Sequence, residues 1–377
     1  MASILLSCGE PSGDLYAAAL LDELGRLDPT TRAWGFGGER LERAGCELAG
    51  HYEGLTVTGL SEALRVLPRS LEVYRTLVAR ADRARPDLLV AIDFPDFNFR
   101  LARAMKRRGV PVVYYVSPQV WAWRRGRLKT MKAVADRVLV IFPFEETLYR
   151  EAGIPVEFVG HPLLDLARAA EPRDRFLASL GLAASAPTIA LLPGSRPNEV
   201  RRILPDLIRA VPLIRCHVPS AQVVIARAPS LAGELFEGAA SGVSGLAVVE
   251  GRTDDVLAAS DLVLTASGTA TVQSAIHGVP MVVVYRLSSL TFRIGKPFVH
   301  VTTYAMVNLV AGRRVVAELI QRDFTPEAVA AEAVGLLTDR GRADRMRAEL
   351  HAVREKLGTA GASARAAEAV LRVIRRS

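Results

Sequence analysis

Three loops in this sequence carry residue types suited to holding a phosphate or taking a proton. In LLPGSRPNEV an aliphatic strand runs into Gly194, Ser195 and Arg196, ahead of a helix expected to begin near Pro197 or Asn198. An arginine beside a glycine turn at the carboxyl end of a parallel strand can grip a diphosphate with its forked guanidinium, although a solvated loop arginine would look the same. In SGTATVQSA a strand ending near Leu264 leads into Ser267, Gly268 and Thr269, which open a helix containing Gln273. Small residues there let a phosphate approach the backbone N–H groups at the positive end of the helix. An ordinary Ser/Thr cap with a tightly packed glycine fits the same tripeptide. Two such loops in one half of the chain favour phosphate binding. In the first half, IDFPDFN closes an apolar strand and places Asp93, Asp96 and Asn98 in a loop expected to face an interdomain cleft. A carboxylate there can act as general base toward an alcohol. Asp96 or Asn98 is expected to cap the following helix, which leaves Asp93, at the strand tip, as the candidate catalyst.

Two further segments are informative for what they resemble and what they fail to match. SCGEPSGDLYAA reads as a strand, a turn through Ser12 and Gly13, and a helix with Asp14 at or near its start, a position more typical of a cap than of a catalyst. Neither this turn nor GFGGER satisfies G-x-G-x-x-G, the GKP at Gly295 lacks the upstream glycine of a P-loop, and Ser12 is not in G-x-S-x-G. A nicotinamide enzyme, an NTPase and a serine hydrolase each lose their main support. YVSPQVWAWRRGRLKTMK sets Ser117, Trp121 and Trp123 beside Arg124, Arg125, Arg127 and Lys129. Indoles beside cations suit a lipid–water interface or a phosphorylated amphiphile, with nucleic acid and a plain solvated helix end as the competing readings. The six histidines lie singly, and Cys8, Cys46 and Cys216 are far apart, so neither a metal site nor a disulfide framework is expected.

The elements that must position these loops alternate almost throughout. ILLS, DLLVAID, VPVVYYV, DRVLVIF and VEFVG are interleaved with helix-length amphipathic segments. After the linker-like HPLLDLARAAEPRDRF the pattern restarts with TIALLPGSR, AQVVIARA, GLAVVE, DLVLTASG and PMVVVY. That alternation predicts βαβ units and parallel sheets, hence an α/β chain of two doubly wound domains, residues 1–165 and 166–325. An Ala- and Arg-rich helical tail, 326–377, is expected to pack back on the first domain. The 377 residues, 50% hydrophobic and 23% charged, give each domain enough apolar residues for a core. A net charge of +8 admits a polyanion, an anionic lipid or a phosphorylated small molecule as partner. No cationic n-region precedes the first apolar run and no stretch has the composition of a membrane span, so a cytoplasmic location is expected.

Taken in order, GEPSGD, GFGGERLERAG, IDFPDFNFRLA, YVSPQVWAWR, GHPLLD, LLPGSRPNEV, SGTATVQSAIHGVPMVVVYR and NLVAGR resemble the lipid-A-disaccharide synthase family, from Gly9 to about Arg313. The resemblance implies a GT-B fold: two Rossmann-like domains, the active-site cleft between them, and the donor nucleotide held by the second. It also implies an inverting transfer of a 2,3-diacylglucosamine unit from its UDP donor to 2,3-diacylglucosamine 1-phosphate, releasing UDP, with no metal and no cofactor. Asp93, Arg196 and Asn308 are then the catalytic candidates. Gly194, Ser195, Arg196, Ser267, Gly268, Thr269 and Gln273 fall on the donor side. Ser12, Gly13, Asp14, Asp96, Ser117, Trp121, Trp123 and Arg124 fall on the acceptor and lipid side. Where the family usually has Glu, this chain has Gln273, expected to accept from ribose hydroxyls without the charge. Acylated substrates imply peripheral binding to the inner membrane, through GLSEALRVLPRSLEVYRTL and the Trp121 region; a homodimer is compatible with this. A GT-B nucleotide-sugar epimerase is the nearer rival, and a basic nucleic-acid-binding protein the more distant one.

Overall fold

A computed structural model describes residues 2–53, 60–118, 126–240, 243–287 and 303–376. Two compact units emerge, one holding the chain up to Leu164 and again from Leu357, the other the described residues from Asp165 to Lys356. In the first, β1 (Ser3–Cys8), β2 (Arg32–Gly37), β3 (Glu47–His51), β4 (Leu88–Ile92), β5 (Val112–Tyr115), β6 (Arg137–Val140) and β7 (Val156–Phe158) form one sheet in the order β3-β2-β1-β4-β5-β6-β7. In the second, β8 (Thr188–Leu192), β9 (Gln222–Arg227), β10 (Leu246–Glu250), β11 (Leu262–Ala266), β12 (Met281–Tyr285) and β13 (Ala317–Ile320) adopt β10-β9-β8-β11-β12-β13. Every pairing in both sheets is parallel.

Both sheets are therefore doubly wound α/β structures with the same order over six strands, the first adding β7 at its edge, and the order reverses between β1 and β4 in one and between β8 and β11 in the other. Ligands of such sheets bind outside the carboxyl ends of the strands at that reversal. The reason the central strands sit there is compositional: β4, LLVAI, and β11, LVLTA, are buried along their whole length, as strands covered by helices on both faces must be. β2 is held close to β1 by Gly35, where a Cβ would lie 1.8 Å from the Leu6 carbonyl oxygen.

Several boundaries differ from the expectations above. The first helix starts at Pro11 and not near Asp14, and the helix after β4 spans Pro95–Lys106. The linker-like stretch after Gly160 contains two short helices, Leu163–Leu166 and Arg173–Ser179. The 326–377 tail is divided: helices Pro326–Thr338 and Arg340–Lys356 belong to the second unit, and only Ala362–Ile374 lies with the first, against the helix Pro11–Leu27. Arg365 secures that return by donating to the Val159 carbonyl at 2.9 Å and to the Ala360 and Thr359 carbonyls at 2.7 Å each.

Candidate active site

At the β1/β4 reversal the backbone is strained. Asp93 and Phe94 follow the last residue of β4 with φ of +43° and +47°, and Val116, just past β5, has φ of +59°. An Asp visits the left-handed region with modest strain. A bulky Phe and a β-branched Val do so at about 1–3 kcal/mol each, a cost that surrounding structure must offset. Asn98 supplies much of that offset. Fully buried, its amide donates to the carbonyls of Asp93 at 2.8 Å and of Ile92 and Ser7 at 3.2 Å each, and its Oδ1 accepts from Ser7 Oγ at 2.6 Å. The Tyr114 hydroxyl donates to the same Asp93 carbonyl at 2.7 Å, while the Asp93 N–H reaches the Tyr115 and Val116 carbonyls. These bonds clamp the main chain of Asp93 and leave its half-buried carboxylate at the carboxyl edge of the sheet.

Gly9, past the end of β1, lies under the Phe94 ring: a Cβ there would sit 2.2 Å from the ring carbons. The GEPSGD turn is thus small because Phe94 occupies the space a side chain would need. Burial pushes the Tyr114 and Tyr16 phenols well above their usual range, and the nearby Asp93 carboxylate adds to both shifts. Both phenols stay protonated at neutral pH, Tyr114 as the donor described above. His161, beyond β7, is buried against Tyr16 and Phe142. Its imidazole is pushed down to about 3 by burial and accepts from the Leu163 N–H at 3.2 Å, so it is neutral and structural.

Other first-half candidates have different places from those expected. Neither Asp96 nor Asn98 caps the helix Pro95–Lys106: the cap is Phe94, without a side-chain cap bond, because the left-handed turn puts both polar residues inside the helix. Asp96 is solvent-exposed and pairs with Arg127 at 2.5 Å. Asp14 is buried, and its carboxylate accepts from the N–H groups of Gly38, Arg40 and Leu41 at 2.7, 3.1 and 3.3 Å. It caps the helix Glu39–Arg43, not its own, and is spent on that contact. Gly13 is buried against Cys8, Ser12 is half-buried in the first turn, and Ser117 lies buried with its Oγ 2.5 Å from the Tyr149 hydroxyl. Trp121, Trp123 and Arg124 lie outside the described residues.

At the β8/β11 reversal the devices are glycine turns and helix openings. Gly194 has φ of +125°, and a Cβ there would meet the Glu199 side chain at 2.7 Å. Glu199 folds back over the turn, accepting from Ser195 N–H at 3.2 Å and from Arg196 at 3.1 Å. Across the reversal, Gly268 caps the helix Thr269–Ile276, with open space where its Cβ would point. The first N–H groups of that helix have no carbonyl partner within it. Ser267 Oγ donates to the Tyr304 carbonyl at 3.1 Å, and Gln273 Nε2 donates to Asp254 Oδ1 at 2.7 Å.

Asn308 is placed differently from a group offered to substrate. Buried to 1% exposure, it accepts from Val315 and Val316 N–H at 2.8 and 3.0 Å and donates to the Val316 carbonyl at 3.1 Å and Glu318 Oε1 at 2.7 Å. Those four bonds exhaust its amide. With Glu318, whose carboxylate also takes the N–H groups of Tyr304 and Ala305, it braces the segment that touches Ser267. Glu318 was not legible beforehand, since a lone glutamate in the edge strand AELI carries no motif. Among the described residues, no group of three or more His, Cys, Asp or Glu side chains is placed to hold a metal ion.

The chain is 45% identical over 374 residues to a lipid-A-disaccharide synthase of Anaeromyxobacter dehalogenans, covering 99% of this chain and 97% of that one. It shares its fold with a Neisseria meningitidis UDP-GlcNAc 2-epimerase solved with UDP-GlcNAc (TM-score 0.70, 13% identity, 98% and 100% of the two chains). The calicheamicin glycosyltransferase CalG4 is similar too (TM-score 0.63, 17% identity, 100% and 99%). At such identities the last two likenesses establish the GT-B architecture alone, whereas the lipid-A-disaccharide synthetase profile matches residues 4–373, and the chain belongs to that family.

Proposed function

We propose that the chain transfers 2,3-diacylglucosamine from its UDP donor to 2,3-diacylglucosamine 1-phosphate, forming the β-1,6 disaccharide and releasing UDP. The family match along nearly the whole chain carries this reading. In this reading Asp93 takes the proton from the acceptor 6-hydroxyl as that oxygen attacks the anomeric carbon, the bond to UDP breaks, and inversion follows from the single displacement. Arg196 and the N–H groups at the Thr269–Ile276 opening take up the charge that develops on the leaving diphosphate. Glu199 must give way to the diphosphate or share Arg196 with it. With Glu199 displaced, donors of this kind offer the charge stabilisation without a divalent cation.

The acylated ends of both substrates and a peripheral association with the inner membrane belong to the same reading. No helix among the described residues is long and apolar enough to cross a membrane. On the helix Leu60–Ala84, however, Leu67 and Leu71 are exposed one turn apart beside the exposed Arg69 and Arg75. Apolar side chains flanked by cations suit the boundary of an anionic leaflet. Incubating the purified protein with both acylated sugars, with and without EDTA, tests the function. UDP and disaccharide in equal amounts are expected in both; UDP-sugar turnover without the acceptor would favour epimerase chemistry instead.

A further inference from the structure

The strained turn past β5 is gripped by a buried phenol that the reading above does not use. Val116, at φ of +59°, is β-branched and poorly suited to the left-handed region. The Asn98 amide serves the other side of the reversal, at the carbonyls of Ser7, Ile92 and Asp93. Val116 is held instead by its own main chain: its N–H donates to the Leu139 carbonyl of β6 at 3.1 Å, and its carbonyl accepts from the Asp93 N–H at 3.2 Å. Beyond it the chain leaves the sheet at Ser117, and the direction of that exit decides whether Val116 can keep its conformation.

Ser117 is 7% exposed, and its Oγ donates to the Pro118 carbonyl at 3.0 Å. The same oxygen lies 2.5 Å from the hydroxyl of Tyr149, a fully buried residue 32 positions away on the helix Pro143–Glu151, which follows β6. A serine hydroxyl has one hydrogen, so with that hydrogen on Pro118 the Tyr149 phenol donates and Ser117 accepts. Burial pushes the phenol well above its ordinary range, with the nearby Glu145 carboxylate adding to the shift, so Tyr149 remains a donor at neutral pH. Contacts therefore run from the Tyr149 hydroxyl to Ser117, through the Val116 carbonyl, to the Asp93 N–H. We propose that Tyr149 is a positioning residue for Asp93: by anchoring Ser117 it keeps Val116 in its left-handed turn, so that Asp93 is held at its N–H as Asn98 and Tyr114 hold it at its carbonyl. This rests on Asp93 as the base of the proposed transfer.

The test is disaccharide formation by the full chain in detergent, with thermal melting and UDP calorimetry on each variant. Tyr149→Phe keeps the ring and removes only the donor; kcat should fall about tenfold with UDP affinity unchanged, because a small misplacement of a reacting group is costly in rate. Ser117→Ala breaks the same bond from its other end and should match that loss, and the two changes together should lose no more than either alone. Tyr149→Phe combined with Asp93→Asn separates positioning from support of the fold. A residue acting through the Asp93 carboxylate has nothing to add once that carboxylate is gone, so the pair should turn over at the rate of Asp93→Asn alone. Equal fractional losses in the two backgrounds would mark Tyr149 as structural and overturn the inference, as would Tyr149→Phe at full kcat. If Tyr149→Phe melts below the assay temperature, Ser117→Ala enters the same cycle with the same two outcomes. No disaccharide from the wild type, or near-normal turnover by Asp93→Asn, overturns the underlying reading and takes this inference with it, whereas a slow Asp93→Asn that Tyr149→Phe slows further defeats the inference alone.

Discussion

The two sheets share one order over six strands, yet their reversal points are furnished in opposite ways. In the first unit the proposed base is a side chain, Asp93, and the backbone carrying it is held in a left-handed turn by Asn98, Tyr114 and the Phe94 ring over Gly9. In the second, the proposed donor contacts are largely main-chain N–H groups, presented by turns in which glycine removes the strain. A proton acceptor must be aimed at one atom, and rigid over-determination serves that. A diphosphate is a broad, multiply charged target, and a helix opening with an arginine beside it serves it well. The topology sets where each site lies, and the local residues decide which chemistry it performs.

The largest expected effect separates the two units. Asp93→Asn removes the base while leaving the clamp on its main chain, so turnover should fall by on the order of a hundredfold or more, with UDP affinity and melting temperature unchanged. Disaccharide formation and UDP titration measured on one preparation check this; near-normal turnover would move the base elsewhere. Arg196→Ala is the converse. Loss of a charge-assisted contact to phosphate costs about 1.5–3 kcal/mol, roughly ten- to a hundredfold in the UDP dissociation constant. If calorimetry finds no change, Arg196 serves the fold of its loop and not the nucleotide, and the contrast between the units weakens.

Gly9→Ala probes the strained side without touching a polar atom. Its methyl would drive the Phe94 ring away, at about 1–3 kcal/mol of stability, and turnover should fall because the Asp93 turn shifts with the ring. Chemical denaturation alongside kinetics reads both, and a variant as stable and active as the parent would show the turn to be less constrained than its contacts suggest. The effect that is smallest at neutral pH and emerges only in acid concerns His161, which is held neutral down to about pH 3 while the unfolded chain protonates it near 6.5. Its folded value is depressed, so its stabilisation is complete above about pH 6.5 and declines as pH falls through the window down to 3, by up to about 1.4 kcal/mol per pH unit. His161→Asn should flatten the pH dependence of unfolding between those limits; coincident slopes would contradict a buried neutral imidazole.

Much of this architecture was legible before any coordinates. Ten of the strands are short aliphatic runs between helical segments, and buried parallel strands must be apolar on both faces, so β4, β5, β8, β11 and β12 announce themselves. The three missed strands each break that rule for a physical reason. In β2, glycine replaces a side chain because the neighbouring Leu6 carbonyl leaves no room for one. β3 and β13 are sheet edges, and β13 carries a glutamate buried by hydrogen bonds to Ala305 and Asn308, which belong to the preceding segment and not to the strand.

The candidate loops were likewise visible from glycine, acid and arginine placed after strands, since those positions follow from backbone sterics and helix-end polarity that any short segment displays. What each polar residue does was settled only by its long-range partners. Asp14 caps a helix 25 residues away, Asn308 is consumed by β13 and the residues before it, and Gln273 finds its carboxylate on another helix. Local chemistry determines which segments can form a strand, a turn or a helix opening. Whether a given carboxylate or amide is left over for a substrate is a matter of hydrogen-bond accounting across the whole fold, and only tertiary packing closes that account.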